Sequence, residues 1–275
     1  MGTDTILELS IVKEEVQYIS EKPVSMSRIP VPSILCIALL FLAPGLSYAA
    51  SNTGYKKDKK ITRTTSSAVA NKKLSAFRES AILYDSLGLD EIGLNPKAFR
   101  YAWAGYLKLK RKGKLRNTNF LSICDFSQSS KNKRLYIINL RTMKVERNTY
   151  VAHGRKSGGE FARTFSNRAE SHKSSLGFYV TGTPYVGEHG LSLRIIGLEK
   201  GINDRALARR VVIHGCQYVG NDFLTSNPFS GRSYGCPAIP SDETEDVINN
   251  IKEGSCLFIY HPTKQYLQKS KILNG

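Results

Sequence analysis

Phe120-Leu121-Ser122-Ile123-Cys124-Asp125-Phe126 and, one polar loop later, Arg134-Leu135-Tyr136-Ile137-Ile138-Asn139-Leu140 decide the fold class. Both runs are short, apolar and rich in β-branched and aromatic residues, so each predicts a strand, and the two predict neighbours in one sheet. Outward from them the same texture recurs. Residues 145–152, 177–186, 191–198 and 211–213 predict further strands, and His214-Gly215 is expected to end the last of these. Residues 255–260 predict a final strand, stopped by Pro262. Short helices are expected at 203–209 and at 244–251, the second closed by Gly254. Many short strands with Gly and Pro turns predict a mainly β fold, a sandwich or barrel with few helices.

Upstream of the strands the period is helical. Leu74, Phe77, Ala81 and Tyr84 are spaced for one helix face over residues 74–87, and Gly88 can end it. Asn95-Pro96 is an N-cap followed by proline at the first helical position. The helix it opens, residues 96–112, aligns Phe99, Trp103, Tyr106 and Leu107, a stripe that predicts packing rather than a binding platform. These segments predict an N-terminal helical pair leaning on the β domain. The expected organisation is a leader at 1–49, a basic flexible linker at 50–73, the helical segment at 74–115, the catalytic domain at 116–262 and a tail at 263–275.

The leader carries its own signal. Met26 and Arg28 precede an apolar stretch at residues 34–42, and Ser47-Tyr48-Ala49 offers a small-x-small cleavage site. This is the pattern of a secretory signal peptide, too short for a comfortable membrane span. The expectation is translation from Met26, cleavage near Ala50 and an exported protein of the periplasm or cell envelope. An uncleaved anchor is the alternative. Residues 50–73 are polar and basic and predict a solvated tether.

With 275 residues and 41% apolar content the chain can bury a core. Lys plus Arg number 40 against 23 Asp plus Glu, a net +17, and the first 49 residues hold more acidic than basic groups, so the excess lies in the remainder. That balance favours an anionic partner, whether nucleic acid, a membrane or envelope surface or an anionic wall polymer, and names none of them. No nucleic-acid motif is evident, and no nucleic-acid partner is expected. Of five cysteines, Cys36 lies in the leader, and the spacing of the rest shows no disulfide framework. Cys124 and Cys256 fall in strand-like runs and are expected as buried thiols, and Cys216 as packing.

Two residues stand out chemically. His214 follows the run Val211-Val212-Ile213, and Cys236 sits in Gly231-Arg232-Ser233-Tyr234-Gly235-Cys236-Pro237-Ala238-Ile239-Pro240. Gly235 lets the backbone approach closely and Pro237 stiffens the exit. A thiol paired with an imidazole is a nucleophile with its base. A capped core histidine and a small buried cysteine remain the alternative.

At these residues the chain resembles the L,D-transpeptidase catalytic domain family (YkuD-like). The His-Gly, spacer, Ser-x-Gly-Cys order is similar to that family's signature. Gly-Arg-Ser-x-Gly-Cys-Pro-Ala is closer to a divergent murein branch, with Val151-Ala152-His153-Gly154-Arg155, Phe165-Ser166-Asn167 and Gly190-Leu191-Ser192-Leu193-Arg194 in agreement. The likeness extends over about residues 75–262. Tyr234 stands where the family usually has His, and Pro237-Ala238 replace polar or Arg residues.

The resemblance implies cysteine-dependent acyl transfer on peptidoglycan stem peptides, with no cofactor and no metal. It makes Cys236 the nucleophile and His214 the base, oriented through the Gly215 carbonyl. Backbone N–H groups of Gly235 and Cys236, with the Tyr234 hydroxyl, are candidates to hold the oxyanion. Arg232, Ser233, Tyr234 and His153 are the candidate substrate-binding set: Arg232 a fork for a substrate carboxylate, Ser233 also a turn hydroxyl, and His153 a further wall of the cleft. Tyr185 and His189 are weaker candidates. Three other readings stay open: a carboxypeptidase or crosslink hydrolase with the same pair, a zinc enzyme using His214, Cys216 and Cys236, and a non-catalytic wall-binding module.

Overall fold

In the computed structural model, which describes residues 64–275 with side chains from Leu74 onward, eight strands form one sheet. They are β1 (Phe120–Asp125), β2 (Leu135–Asn139), β3 (Lys144–Thr149), β4 (Gly177–Gly187), β5 (Gly190–Gly197), β6 (Val212–Cys216), β7 (Ala238–Pro240) and β8 (Cys256–Tyr260). The order across the sheet is β3-β2-β1-β8-β4-β5-β6-β7. The two edges meet: Ala152, just beyond β3, donates its N–H to the Ala238 carbonyl of β7 at 2.8 Å. The sheet is therefore nearly closed, and the mainly β, barrel-like expectation holds. Closure gives the edge N–H and C=O groups partners that an open sheet would leave exposed.

The last strand in the chain is central in space. β8 runs parallel to β1 and antiparallel to β4, and all five of its residues are buried. Its apolar sequence suits a strand covered on both faces. The leader, its cleavage site and the linker up to residue 63 lie outside the described residues.

Helix α1 (Thr64–Ser86) begins ahead of the predicted start at Leu74. Of its expected stripe, Leu74 and Phe77 are exposed, and Tyr84 makes the contact with the neighbouring helix α2 (Pro96–Arg111) through Phe99. The α2 start is as predicted: the Asn95 side chain accepts the Lys97 N–H at 2.9 Å, with Pro96 next to it. Besides the aromatic stripe, α2 buries Leu109 and a small-residue ridge of Ala98, Ala102 and Gly105 that presses on the sheet.

At Gly105 the approach is closest. A Cβ there would stand 2.0 Å from Phe178 Cζ, and Phe178 is itself stacked on Phe258 at 4.2 Å. Gly105→Ala must push the helix off β4 and β8. It is expected to cost about 1–3 kcal/mol despite the better helix propensity of alanine. Urea unfolding of the variant checks this, and a stability equal to or above wild type would show that the helix slides freely.

Three local readings change. Residues 203–209 form turns rather than a helix. His214 lies inside β6 and does not end it. The polar stretch after β6 holds α3 (Asn221–Ser226), and Ala238–Pro240 is a strand where a stiff loop exit was expected. Helix α4 (Thr244–Ile251) matches its predicted bounds. After β8 come α5 (Lys264–Lys269) and α6 (Lys271–Asn274), tied to α2 by Lys108 Nζ, which donates to the carbonyls of Lys271 and Gly275, each at 2.6 Å.

Candidate active site

The site is built where β6 meets β7. The pair is parallel with His214 opposite Ala238, so the chain just before β7 lies alongside the start of β6. Cys236 occupies that place. Its Sγ is 3.5 Å from the Val212 N–H and 3.7 Å from the Arg210 carbonyl. Val212 and His214 are two apart on one strand and share a face. This pairing brings the motif cysteine beside the strand that carries the motif histidine.

The imidazole is held from two sides. His214 Nδ1 is 3.0 Å from the Gly215 carbonyl. A carbonyl only accepts, so Nδ1 carries the proton and Nε2 keeps its lone pair. The His189 ring, from the β4–β5 turn, stacks on it at 4.5 Å. Burial first, then the neighbouring His189, holds the His214 pKa below the ordinary 6.5, while the Gly215 carbonyl opposes them. His214 is therefore neutral at pH 7. No hydrogen bond joins its ring to the thiol among the described residues, because Sγ is turned toward Arg210.

A serine knots the turn before the cysteine. Ser233 Oγ accepts the Gly235 N–H at 3.0 Å and donates to the Cys236 carbonyl at 2.6 Å, which makes it the expected turn hydroxyl. Gly235 has φ +129°, and a Cβ there would stand 3.0 Å from the Lys173 carbonyl. Only glycine fits both constraints. One expectation changes as a result: the Gly235 N–H is spent on Ser233 and does not face a ligand. The Cys236 N–H has no acceptor among the described residues and is the donor left over.

His153 is also placed differently. It is 0% exposed, and its Nδ1 accepts from Arg134 Nη2 at 2.8 Å. Burial, then Arg134, pushes its pKa down to about 3. A neutral ring sealed behind Arg134 offers no atom to a ligand, so His153 is not a wall of the cleft. It supports the turn through its carbonyl, which accepts the Ser233 N–H at 3.1 Å. Nothing in Val-Ala-His-Gly announces the buried arginine that captures the ring.

The exposed side of the turn is cationic and aromatic. Tyr234 is 66% exposed, with the Arg155 guanidinium 4.8 Å from its ring centre and Arg155 Nη1 3.3 Å from its hydroxyl. Arg232 donates to the Gly158 carbonyl at 3.1 Å and lies 5.7 Å from the Phe229 ring centre. Arg155, Arg232, Phe223 and Phe229 line an open cavity of about 320 Å³. Tyr185 lies 4.3 Å under the Arg194 guanidinium.

Burial pushes the Cys236 thiol up, and the Val212 N–H and the Arg209 guanidinium pull it back. The four described cysteines are free thiols. Burial pushes Cys124 up to about 12, Cys216 up to about 11 and Cys256 higher still. Cys124 and Cys256 are core residues as predicted. Cys216 packs with Tyr218 beside Ala152, Val219 and Ala238. His214, Cys216 and Cys236 do not converge as metal ligands, and among the described residues no three His, Cys, Asp or Glu side chains do.

Residues 90–260 match a family model described as the L,D-transpeptidase catalytic domain. No curated protein sequence matches the chain. Among solved structures it is similar to an L,D-transpeptidase from Mycobacterium smegmatis, at 10% identity over 52% of this chain and 59% of that one, with a TM-score of 0.33. An L,D-transpeptidase from Mycobacterium tuberculosis matches at 12% identity over 52% and 58%, with a TM-score of 0.32. The helical cell shape determining protein Pgp2 from Campylobacter jejuni matches at 15% identity over 58% and 56%, with a TM-score of 0.32. The chain thus spans somewhat under two thirds of each of these structures.

Proposed function

The chain belongs to the L,D-transpeptidase catalytic domain family, and from that premise we propose that it is a cysteine acyltransferase acting on peptidoglycan stem peptides. The observation that carries this reading is the thiol of Cys236, set by a serine-knotted glycine turn beside the strand whose histidine keeps Nε2 unprotonated. In the reaction, Sγ turns away from the Arg210 carbonyl and gives its proton to His214 Nε2. The thiolate attacks the scissile carbonyl, and the Cys236 N–H stabilises the oxyanion. The C–N bond breaks, the leaving amine takes the proton from His214, and a thioester remains. An acceptor amine, or water, then attacks the thioester as it gives a proton to His214, and His214 returns that proton to the departing sulfur, releasing the thiol.

Arg155 and Arg232 place positive charge beside the turn, where a stem-peptide carboxylate can be bound by a guanidinium fork. A peptidoglycan substrate puts the working protein in the cell envelope, consistent with the leader expected from the sequence. No helix among the described residues is long and apolar enough to cross a membrane. Incubation with purified muropeptides and mass analysis tests the reading. The expected result is a new crosslinked product when an acceptor peptide is present. Hydrolysis alone would assign the transfer to water, and no change in any muropeptide would end the proposal.

A further inference from the structure

Arg209 is the last residue but one of the turn segment before β6 and has no part in the proton transfers above. Its guanidinium is fixed by four hydrogen bonds. Nη1 donates to the Ser166 carbonyl at 2.8 Å and to Ser175 Oγ at 2.6 Å. Nη2 donates to the Lys173 carbonyl at 2.7 Å and to Ser171 Oγ at 3.3 Å. None of these partners carries charge. Among the described residues the ion pairs are those of Arg147, so no carboxylate neutralises Arg209.

A half-buried cation without a counter-ion is costly unless something nearby becomes negative. The guanidinium lies against the nucleophile turn: Nη2 is 3.2 Å from the point where a Gly235 Cβ would be. The next residue, Arg210, supplies the carbonyl that faces Sγ, and holds φ +53° to do so. The acidic groups on which the Arg209 charge acts are the Tyr179 phenol and the Cys236 thiol. The Tyr179 hydroxyl donates to the Ser175 carbonyl, and burial keeps it protonated. That leaves one group that can turn anionic beside Arg209.

We propose that Arg209 is the fixed counter-charge of the Cys236 thiolate, a positioning residue that ties residues 166–175 under the nucleophile turn and stabilises the sulfur once its proton has gone. The role explains why four neutral acceptors and no carboxylate hold this guanidinium. A carboxylate would spend the charge before the thiolate formed. The proposal rests on Cys236 being the reactive thiol, but its test reads ionisation and needs no muropeptide, so the two fail separately.

The test is the pH profile of alkylation at Cys236 by iodoacetamide, followed by peptide mass analysis. The thiolate displaces iodide and forms the S–C bond, so the rate follows ionisation. The charged and titratable groups acting on Cys236 are Arg209 before β6 and Tyr218 after it, and His214, on the strand beside it, is the base proposed above. Arg209→Gln is expected to raise the midpoint by about one pH unit, which slows alkylation near pH 7 about tenfold. Arg209→Lys, which keeps a cation, should recover most of the shift. An unchanged midpoint in Arg209→Gln that is folded by circular dichroism overturns the proposal.

A second measurement leaves Arg209 in place. The ¹⁵N resonance of its guanidinium should shift with pH at the same midpoint as the alkylation, and Cys236→Ser should abolish the step. A resonance that ignores the thiol's ionisation overturns the proposal even if Arg209→Gln does not fold.

Discussion

Cys236→Ala is expected to reduce muropeptide turnover by at least about a thousandfold, to the level of an enzyme without its nucleophile. No other side chain on the turn can take the acyl group. Ser233 is locked between the Gly235 N–H and the Cys236 carbonyl, and Tyr234 points outward beside Arg155. A carbapenem offers the same thiol a strained amide. Attack forms an S–C bond, opens the ring C–N bond and leaves the proton on nitrogen. Intact mass should show one adduct on wild type and none on Cys236→Ala, with the adducted peptide containing Cys236. Cys124 and Cys256 are sealed in the core with strongly raised pKa values, so they should remain unlabelled. Turnover at wild-type level by Cys236→Ala, or an adduct on another cysteine alone, removes Cys236 from the chemistry.

Removal of the proposed base has the second-largest expected effect. His214→Ala should lose about a hundredfold to ten-thousandfold in kcat/KM near neutral pH. The cause is the protonated resting thiol. Burial holds the Cys236 pKa above its ordinary 9.0, so little thiolate exists without a proton acceptor. The sign of the pH dependence follows from both groups. Since burial depresses the His214 pKa, the ring stays neutral and basic until pH falls below the ordinary 6.5, and the acid limb of the wild-type profile lies below that value. In His214→Ala that limb should vanish, and the residual rate should climb with pH toward ionisation of the thiol. A pH–rate profile measures both features. A variant that keeps the wild-type acid limb would mean that another group titrates there.

The candidate site was legible as residue types and only partly as geometry. His214-Gly215 and Ser233-x-Gly-Cys236 stand out because glycines beside a histidine and a cysteine suit turns and close approach. The Gly215 carbonyl was nameable as the ring's partner because the resemblance implies an orienting group after the histidine, and a glycine has only its carbonyl to offer. Which backbone donors are free was not legible: the Gly235 N–H is bonded to Ser233 Oγ at 3.0 Å, which the local sequence does not announce. The local pattern of residues 203–209 predicts a short helix that includes Arg209. What holds its guanidinium is Ser166, Ser171, Lys173 and Ser175, a different loop that no local pattern links to it. His153 looked like His214, a histidine after an apolar run. What separates them is Arg134, which captures one ring and leaves the other with a usable nitrogen.

The sequence by itself determined the elements whose causes are local. Asn95-Pro96 opens α2 because a side-chain cap and a proline both act within one turn. The apolar runs of β1, β2 and β8 predict buried strands because their period and composition suit two covered faces. Tertiary structure alone decided the rest. It inserted β8 between β1 and β4, brought the sheet edges together through Ala152 and Ala238, and paired β6 with the three-residue β7 so that Cys236 lies beside Val212. The physical reason is that each backbone N–H and C=O must find a partner, and in a nearly closed sheet that partner is supplied by a distant segment. A strand's own residues record that it will pair, but not with which neighbour or in which register.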